Sequence, residues 1–469
     1  MKPSLPKGTR DFLPAEVRKR DYLFGVLRRA FERFGYAPIE TPAMENLGTL
    51  TGKYGEEGDR LLFKVLNNGD FLAKADGDAL DARDSAAAVS SLSKRGLRYD
   101  LTVPFARYVV QHRNDLTLPF KRYAIQPVWR ADRPQKGRYQ EFYQCDADVV
   151  GSTSLLYEAE LVRLLGTVFA ELGLRVTIRV NHRGILQGLV EVSGVGAGKF
   201  VDFVTALDKL DKIGRERVAA EMVTRGIDAA AAARALDLLD DGDLLRPDGP
   251  LSPSAAGREG LRDLDTVRGY LRRLPSVAGA TGEASRPSPT LARGLSYYTG
   301  CIFEVEVDTS AAGQEGIRMG SIAAGGRYAN LTEAFGGRDM SGVGVSFGAE
   351  RIYDVLEELG AWPPTVTAGR RVLLAAFDEA SLGYAFAKTD ELRAAGIAAD
   401  CYPEPAKPKK SLGYANACGI PYAILVGDRE RQSGSLGLKD LRTGEQEGLS
   451  TEDVIARLRG PAAQTGGDS

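Results

Sequence analysis

Tyr139-Gln-Glu-Phe-Tyr-Gln-Cys-Asp-Ala-Asp-Val-Val150 reads as a β-strand, and its period of two puts Phe142, Gln144, Asp146 and Asp148 on one face and Tyr143, Cys145, Ala147 and Val149 on the other. Apolar packing behind and a row of hydrogen-bonding groups in front suit the floor of a pocket better than a half-buried edge. Just upstream, six cations (Lys121, Arg122, Arg130, Arg133, Lys136, Arg138) face one acid, Asp132, within 18 residues. Charge runs are usually solvated faces, and that reading stays open. An arginine-rich turn abutting an acidic strand also makes a site of two charges. It can hold a phosphate at one end and an ammonium or imidazole at the other, because each charge needs its opposite once water is removed.

Two further stretches bear on that site. Gly342-Val-Gly-Val-Ser-Phe-Gly348 is a strand with one nearly bare face (Gly342, Gly344, Ser346), against which a flat ring could lie, with Arg351 on the helix that follows. A tightly packed glycine strand is the plainer alternative. Leu291-Ala-Arg-Gly-Leu-Ser-Tyr-Tyr-Thr-Gly300 puts Arg293, Tyr297 and Tyr298 just before another strand. Nucleotide loops of other kinds are excluded: Gly194-Val-Gly-Ala-Gly-Lys-Phe200 lacks the first glycine and the hydroxyl of a P-loop, and the 342–348 run would put a phenylalanine at the third glycine of a dinucleotide fingerprint.

Outward from the strand, apolar spacing predicts helices over 15–34 and 155–169, a strand over 175–180, and extended chain over 36–42, where each proline pushes its predecessor out of the α region. Residues 73–93, rich in Ala, Asp and Ser, read as a solvated insertion or lid. Their aspartates do not make a calcium loop, since the required Gly and the final Glu are missing. Helical spacing fills 190–273, up to a Gly/Pro/Ser-rich joint at 276–289. A strand follows at 301–308 and a linker begins at Trp362. Over 370–460, apolar runs alternate with helical stretches, the pattern of a small α/β domain. Ten residues from Gly460 read as a frayed tail, and there is no internal repeat.

A chain of 469 residues has room for about three domains. With 61 Lys and Arg against 63 Asp and Glu it is no uniformly basic nucleic-acid coat, so polyanions must be met by local patches. Four scattered cysteines without a CxxC pair, and two histidines, give no zinc pattern, so no protein metal site is expected. The same cysteine usage reads as reduced and cytoplasmic. The N-terminus has no apolar signal core and no 18-residue apolar run occurs, so no membrane role is expected.

Together and in this order, these segments resemble the histidyl-tRNA synthetase family of class II aminoacyl-tRNA synthetases over nearly the whole chain. Lys7-Gly-Thr-Arg-Asp-Phe-Leu-Pro14 with its helix and Pro42 resembles the first class II motif, 129–142 the second and 342–351 the third. Arg98-Tyr-Asp-Leu-Thr102 and 293–300 resemble the two histidine-binding signatures. The resemblance implies an α+β fold: an antiparallel class II sheet of six strands with helices, a helical insertion domain and a C-terminal α/β anticodon-binding domain. The implied bounds are 1–185 and 287–362 for the catalytic core, 186–286 for the insertion, 369–460 for the anticodon domain and 461–469 for a flexible tail. It further implies that Asp100, Thr102 and Gln144 hold the α-amino group of histidine, that Asp148 and Tyr298 read its imidazole with Tyr297 alongside, and that Arg130 binds the α-phosphate of ATP. Arg138 would take the distal phosphates and Glu141 the adenine edge, with Phe142 and Arg351 sandwiching the ring. Arg293 would neutralise the α-phosphate during attack.

L-histidine, ATP with Mg2+ and histidine tRNA are the implied partners, in a homodimer. Asp132, Gln140 and Ser296 depart from common family residues. A non-catalytic relative, the regulatory subunit of ATP phosphoribosyltransferase, is the alternative, as is a class II synthetase for proline or threonine.

Overall fold

Six strands alternate in direction across the larger sheet: β5 (Phe120–Trp129), β6 (Glu141–Val150), β11 (Gly342–Gly348), β10 (Ala323–Tyr328), β9 (Cys301–Val307) and β7 (Val176–His182). A two-residue parallel strand closes each side, β1 (Ala37–Pro38) on β5 and β8 (Arg286–Pro287) on β7. The antiparallel six are those expected, and the two stubs were too short to leave a periodic signal. The structure is a computed structural model, describing residues 2–51, 59–275, 285–292, 298–328, 335, 340–364, 366 and 371–459. Arg293, Tyr297 and Ser296, most of the 276–289 joint and the tail from Gly460 lie outside the described residues.

The chain forms two units, Met1–Asp11 with Arg20–Ala361, and Phe12–Lys19 with Trp362–Ser469. In the first, helices Pro14–Arg33 and Leu156–Glu171 contribute Phe31 and Phe169 to the back of the sheet. Both rings pack on Phe347 of β11, each with 5.7 Å between centroids. Cys145, Ala147 and Val149 are buried on that side, as alternation along β6 requires. The buried Glu158 of the second helix accepts from Arg327 of β10 through both carboxylate oxygens. Its charge is therefore matched where water is absent.

Between β7 and β8 the regular elements are all helical, from Arg183–Ser193 to Ala255–Arg272, and they belong to the same unit as the sheet. The 185/186 boundary expected from sequence falls inside the first of these helices. A small sheet of β2 (Met44–Asn46), β4 (Arg95–Leu97) and β3 (Lys64–Val65) lies before the Thr102–Gln111 helix. Within 73–93, read from sequence as a solvated insertion or lid, lie two short helices, Gly77–Asp81 and Ser85–Leu92, with most of their residues exposed. Asp76 and Asp84 cap them by accepting from Ala79 N and from the amides of Ala86 and Ala87. Those aspartates thus serve helix starts.

The second unit carries five strands in the order β13 (Ala399–Cys401), β12 (Val372–Ala376), β14 (Tyr422–Val426), β15 (Leu436–Asp440), β16 (Gln446–Leu449). The first three run parallel, β15 is antiparallel to β14, and β16 is antiparallel to β15. Helices Glu379–Ala394 and Thr451–Arg459 bury Leu392, Val454 and Leu458 with Leu374, Ala376 and Ile424, while Leu373 and Ala375 pack with Ala415 and Ile420 on the other side. The continuous apolar run of β12 follows from cover on both faces.

Candidate active site

Strand register brings the site together. On the front of the sheet Arg122, Ala124 and Gln126 of β5 stand opposite Asp148, Asp146 and Gln144 of β6, which in turn face Gly344, Ser346 and Gly348 of β11. Next in line, Tyr328 and Ala324 of β10 face Gly342 and Ser346. The polar row read from alternation along β6 therefore forms a floor shared by four strands.

Over this floor lie two cavities that share Arg130, Gln144, Ala324 and Ser346. The first, about 290 Å³, is lined by Asp100, Thr102, Asp146, Asp148, Tyr298 and Tyr328 among others. The second, about 410 Å³, is lined by Asp132, Arg138, Phe142, Glu350 and Arg351 among others. One lobe is rich in carboxylates and the other in guanidinium groups, the two-charge arrangement expected of an acidic strand beside an arginine-rich turn.

Local structure explains each placement in the carboxylate lobe. Asp100 precedes the Thr102–Gln111 helix and accepts from Val103 N at 3.1 Å, which fixes its carboxylate at the cavity wall. Gln144 donates through Nε2 to Ser346 Oγ at 3.1 Å. Its Oε1 and the Oδ1 of Asp146 are buried without a hydrogen-bond partner. Asp148 accepts from the Tyr328 hydroxyl at 2.7 Å and lies 2.7 Å from Arg122 Nη2. Burial pushes both carboxyls up, Asp146 to about 7, while Arg122 pulls each back. Buried acceptors without donors cost free energy, which a cationic group bearing N–H donors would recover.

The glycines of β11 are needed for close approach, and here the expectation of a bare face is corrected. A Cβ on Gly344 would lie 2.5 Å from Asp148 Cγ, and one on Gly342 2.7 Å from Tyr328 Cζ. These side chains already fill the space over the two glycines, so only the Ser346–Gly348 end is open to a ring. A Cβ on Gly348 would meet nothing nearer than Ile322 O at 3.3 Å.

The guanidinium lobe is organised by a tight turn. Gln135 and Arg138 exchange backbone hydrogen bonds at 3.1 and 2.8 Å, with Gly137 at φ +71 between them. Arg351, at the start of the Ala349–Glu358 helix, donates to Gly137 O at 3.2 Å and to Ser321 O at 2.7 Å. Arg130 follows β5, donates through Nε to Tyr99 O at 2.8 Å and stands 5.2 Å from the Phe142 ring centre. Glu350 accepts from Arg20 at 2.8 and 2.9 Å and from Arg10, so its charge is matched and the lobe keeps a positive character.

Of the residues named from sequence, the first lobe unites Asp100, Thr102, Arg130, Gln144, Asp148 and Tyr298, and the second Arg130, Arg138, Phe142, Gln144 and Arg351. Glu141 stands apart from both: it is exposed and accepts from Trp129 Nε1 at 2.7 Å. It has the opposite parity to Phe142 on β6, so its side chain leaves from the other face. Two acids line the second lobe, Asp132 and the Glu350 already paired with Arg10 and Arg20. The basic zone is also divided, since Lys121 is spent on Glu160 at 2.6 Å and Arg122 is fully buried. Asp146, Arg122 and Tyr328 are the site groups that sequence reasoning did not assign. Parity pointed to the first, while the other two acquire their place only through pairing of distant strands.

An antiparallel sheet of six strands, with an arginine-rich turn between two of them and a guanidinium-rich lobe beside a carboxylate-rich one, defines a class II aminoacyl-tRNA synthetase. The family model described as Histidyl-tRNA synthetase matches residues 8–73 and 69–352, and that described as Anticodon binding domain matches 370–460. The Histidine--tRNA ligase of Christiangramia forsetii is 50% identical over 465 residues, covering 98% of this chain and 99% of that protein. That of Phocaeicola vulgatus is 47% identical over 463 residues, with 98% and 99% covered. A crystal structure of histidyl-tRNA synthetase from Nostoc sp. PCC 7120 superposes with a TM-score of 0.80 at 28% identity, over 98% of this chain and 99% of that one. The chain belongs to the histidyl-tRNA synthetase family. A Bacillus halodurans structure titled as an ATP phosphoribosyltransferase regulatory subunit/histidyl-tRNA synthetase is 20% identical and shares the fold.

Proposed function

We propose that this chain joins L-histidine to its cognate tRNA at the expense of ATP, through a histidyl-adenylate. The observation that carries the reading is the pair of lobes of opposite charge meeting at Arg130 and Gln144. Histidine enters the carboxylate lobe, its ammonium against Asp100, Thr102 and Gln144, its imidazole against Asp148 and Tyr298. Its carboxylate then points to the shared boundary. ATP lies in the guanidinium lobe, with the α-phosphate on Arg130, the outer phosphates on Arg138 and the base between Phe142 and Arg351 over the open end of β11. Asp132 replaces Glu141 as an acid facing that lobe. Magnesium belongs to the substrate, bridging the phosphates of ATP.

A histidine carboxylate oxygen attacks the α-phosphorus, the new O–P bond forms, and pyrophosphate leaves with the electrons of the broken bond. No nucleophile from the protein is required. Catalysis is alignment plus guanidinium charge set where phosphoryl charge develops. Arg293 is the further cation assigned to that phosphate, on sequence resemblance. In the second step a hydroxyl of the terminal ribose of the tRNA attacks the histidyl carbonyl, the ester forms as the acyl–phosphate bond breaks, and AMP leaves with the electrons of that bond.

The unit from Trp362 onward holds the anticodon stem. Residues 370–460 carry 13 Lys and Arg against 13 Asp and Glu, so contact rests on local groups such as Lys407, Lys409 and Lys410 and on unstacked bases. We also assign the protein to the cytoplasm and to a homodimer; no helix of the described residues is long and apolar enough to cross a membrane. Relatives matched over their whole length are named as ligases, which favours the synthetase over the regulatory-subunit alternative. ATP–pyrophosphate exchange is the test. Exchange with histidine and with neither proline nor threonine is the expected result, and none with any amino acid would refute the reading.

A further inference from the structure

We infer that Arg122, which does not itself line the cavity, is a positioning residue for histidine selection: it holds Asp148 as an oriented anion beneath the imbalance of carboxylates that faces the amino acid. This rests on the histidine reading of the first lobe.

Three facts carry it. Arg122 is 0% exposed, yet its guanidinium is not distributed over backbone carbonyls. Arg98, equally enclosed, donates to the carbonyls of Pro127, Thr41 and Pro42 and is satisfied as a structural cation. Arg122 has a 3.4 Å contact to Leu101 O, leaves Nε and Nη1 without hydrogen-bond partners, and directs Nη2 to Asp148 at 2.7 Å. Its plane is seated 4.1 Å from the Phe105 ring centre, which fixes it and supplies a cation–π contact. A buried cation so incompletely hydrogen-bonded is poorly explained by stability alone, because unmet donors cost free energy.

The second fact is geometric. Arg122 and Asp148 are directly paired across β5 and β6, and Tyr328 reaches Asp148 from β10. Gly344 of β11 leaves just enough room for the carboxylate between them. Asp148 is thus held from three strands with a defined orientation.

The third is electrostatic. Asp148 shares its surroundings with Asp146 on the same strand, Asp100 before the Thr102–Gln111 helix, Tyr328 on β10 and Tyr36 after the first helix; Arg122 is the cation acting on it. Burial and the neighbouring carboxylates favour a proton on Asp148, and Arg122 opposes them. Without Arg122 the balance shifts further toward the protonated carboxyl, which accepts more weakly from an imidazole N–H than the carboxylate does.

The experiment is histidine-dependent ATP–pyrophosphate exchange on the full chain, comparing wild type with Arg122→Met, Arg122→Lys, Asp148→Asn and the Arg122→Met/Asp148→Asn double variant. Arg122→Met should raise the histidine KM by about 10- to 100-fold and leave the ATP KM within about twofold. Its KM ratio to wild type should fall as pH is raised, because rising pH favours the carboxylate that the missing cation no longer stabilises. Arg122→Lys should restore part of the affinity. On the Asp148→Asn background Arg122→Met should add little, since the anion it serves is gone. Should Arg122→Met not fold, Arg122→Gln removes the charge while keeping polar bulk, and its histidine KM and pH profile must shift in the same way. A wild-type histidine KM and pH profile in a variant that removes the Arg122 charge, or additive losses in the double variant, would overturn the inference alone. Wild-type protein without histidine-dependent exchange would overturn the functional reading beneath it.

Discussion

Gly344→Ala is the sharpest single test of how the floor is built. The added methyl would meet Asp148 Oδ1 first and stand 2.5 Å from its Cγ and 2.9 Å from Ala147 O, the last a backbone atom fixed in β6. Ordinary contact requires the carboxylate to withdraw by about an ångström. That movement stretches both the 2.7 Å bond from Tyr328 and the 2.7 Å contact with Arg122. Overpacking of this kind costs about 1–3 kcal/mol of stability. A displacement of an ångström at a positioning group costs on the order of 100-fold in rate, about 2.7 kcal/mol of transition-state binding. In the exchange assay kcat/KM for histidine should therefore fall by about two orders of magnitude, while the ATP KM stays within about twofold. Gly348→Ala, on the same strand but with its nearest neighbour at 3.3 Å, should spare histidine and act on ATP. A Gly344→Ala enzyme whose histidine kcat/KM lies within about threefold of wild type would show that Asp148 needs no fixed position, and the reasoning would fail.

Other expectations follow from individual contacts. The Asp146 carboxyl is pushed up to about 7 from an ordinary 3.8, so the folded chain binds a proton that the unfolded chain has released. Its contribution is full below about pH 4 and is lost as pH rises through about 7. Asp146→Asn should flatten that decline in urea unfolding midpoints, and an unchanged slope would contradict the assignment. Asp132→Asn should raise the ATP KM, by about 10-fold if it meets the base or a phosphate-bound cation, whereas Glu141→Gln should leave it unaltered; equal effects would restore Glu141 to the site. Gly413→Ala, in the exposed face of the Pro408–Ala417 helix with nothing within 4 Å of the new Cβ, should stabilise the second unit by about 0.5–1 kcal/mol in thermal unfolding. Destabilisation there would point to an unseen contact.

Much of this site was legible because strand period and residue chemistry coincide. Alternation along 139–150 separated Gln144, Asp146 and Asp148 from Cys145, Ala147 and Val149 before any partner strand was known, and the structure keeps that division. The same parity rule excludes Glu141 from the face of Phe142; resemblance had overridden it. Glycines 342 and 344 announced a close approach, yet what approaches comes from β6 and β10, and no local signal carries that pairing. Arg122 looked like one cation in a basic run, and its burial depends on Asp148 lying across the next strand, 26 positions along. Helix spans were legible to within a few residues because apolar spacing sets their buried stripe, while their ends depend on caps and turns.

The sheet's outermost strands are stubs of two residues, and each contains a proline, Pro38 in β1 and Pro287 in β8. A proline offers no amide hydrogen to a newcomer, and so short a rung gives almost no ladder to extend. Growth by adding a foreign strand to either margin of this larger sheet is therefore blocked at its seed, whereas the smaller sheet, edged by the proline-free β13 and β16, has no such guard.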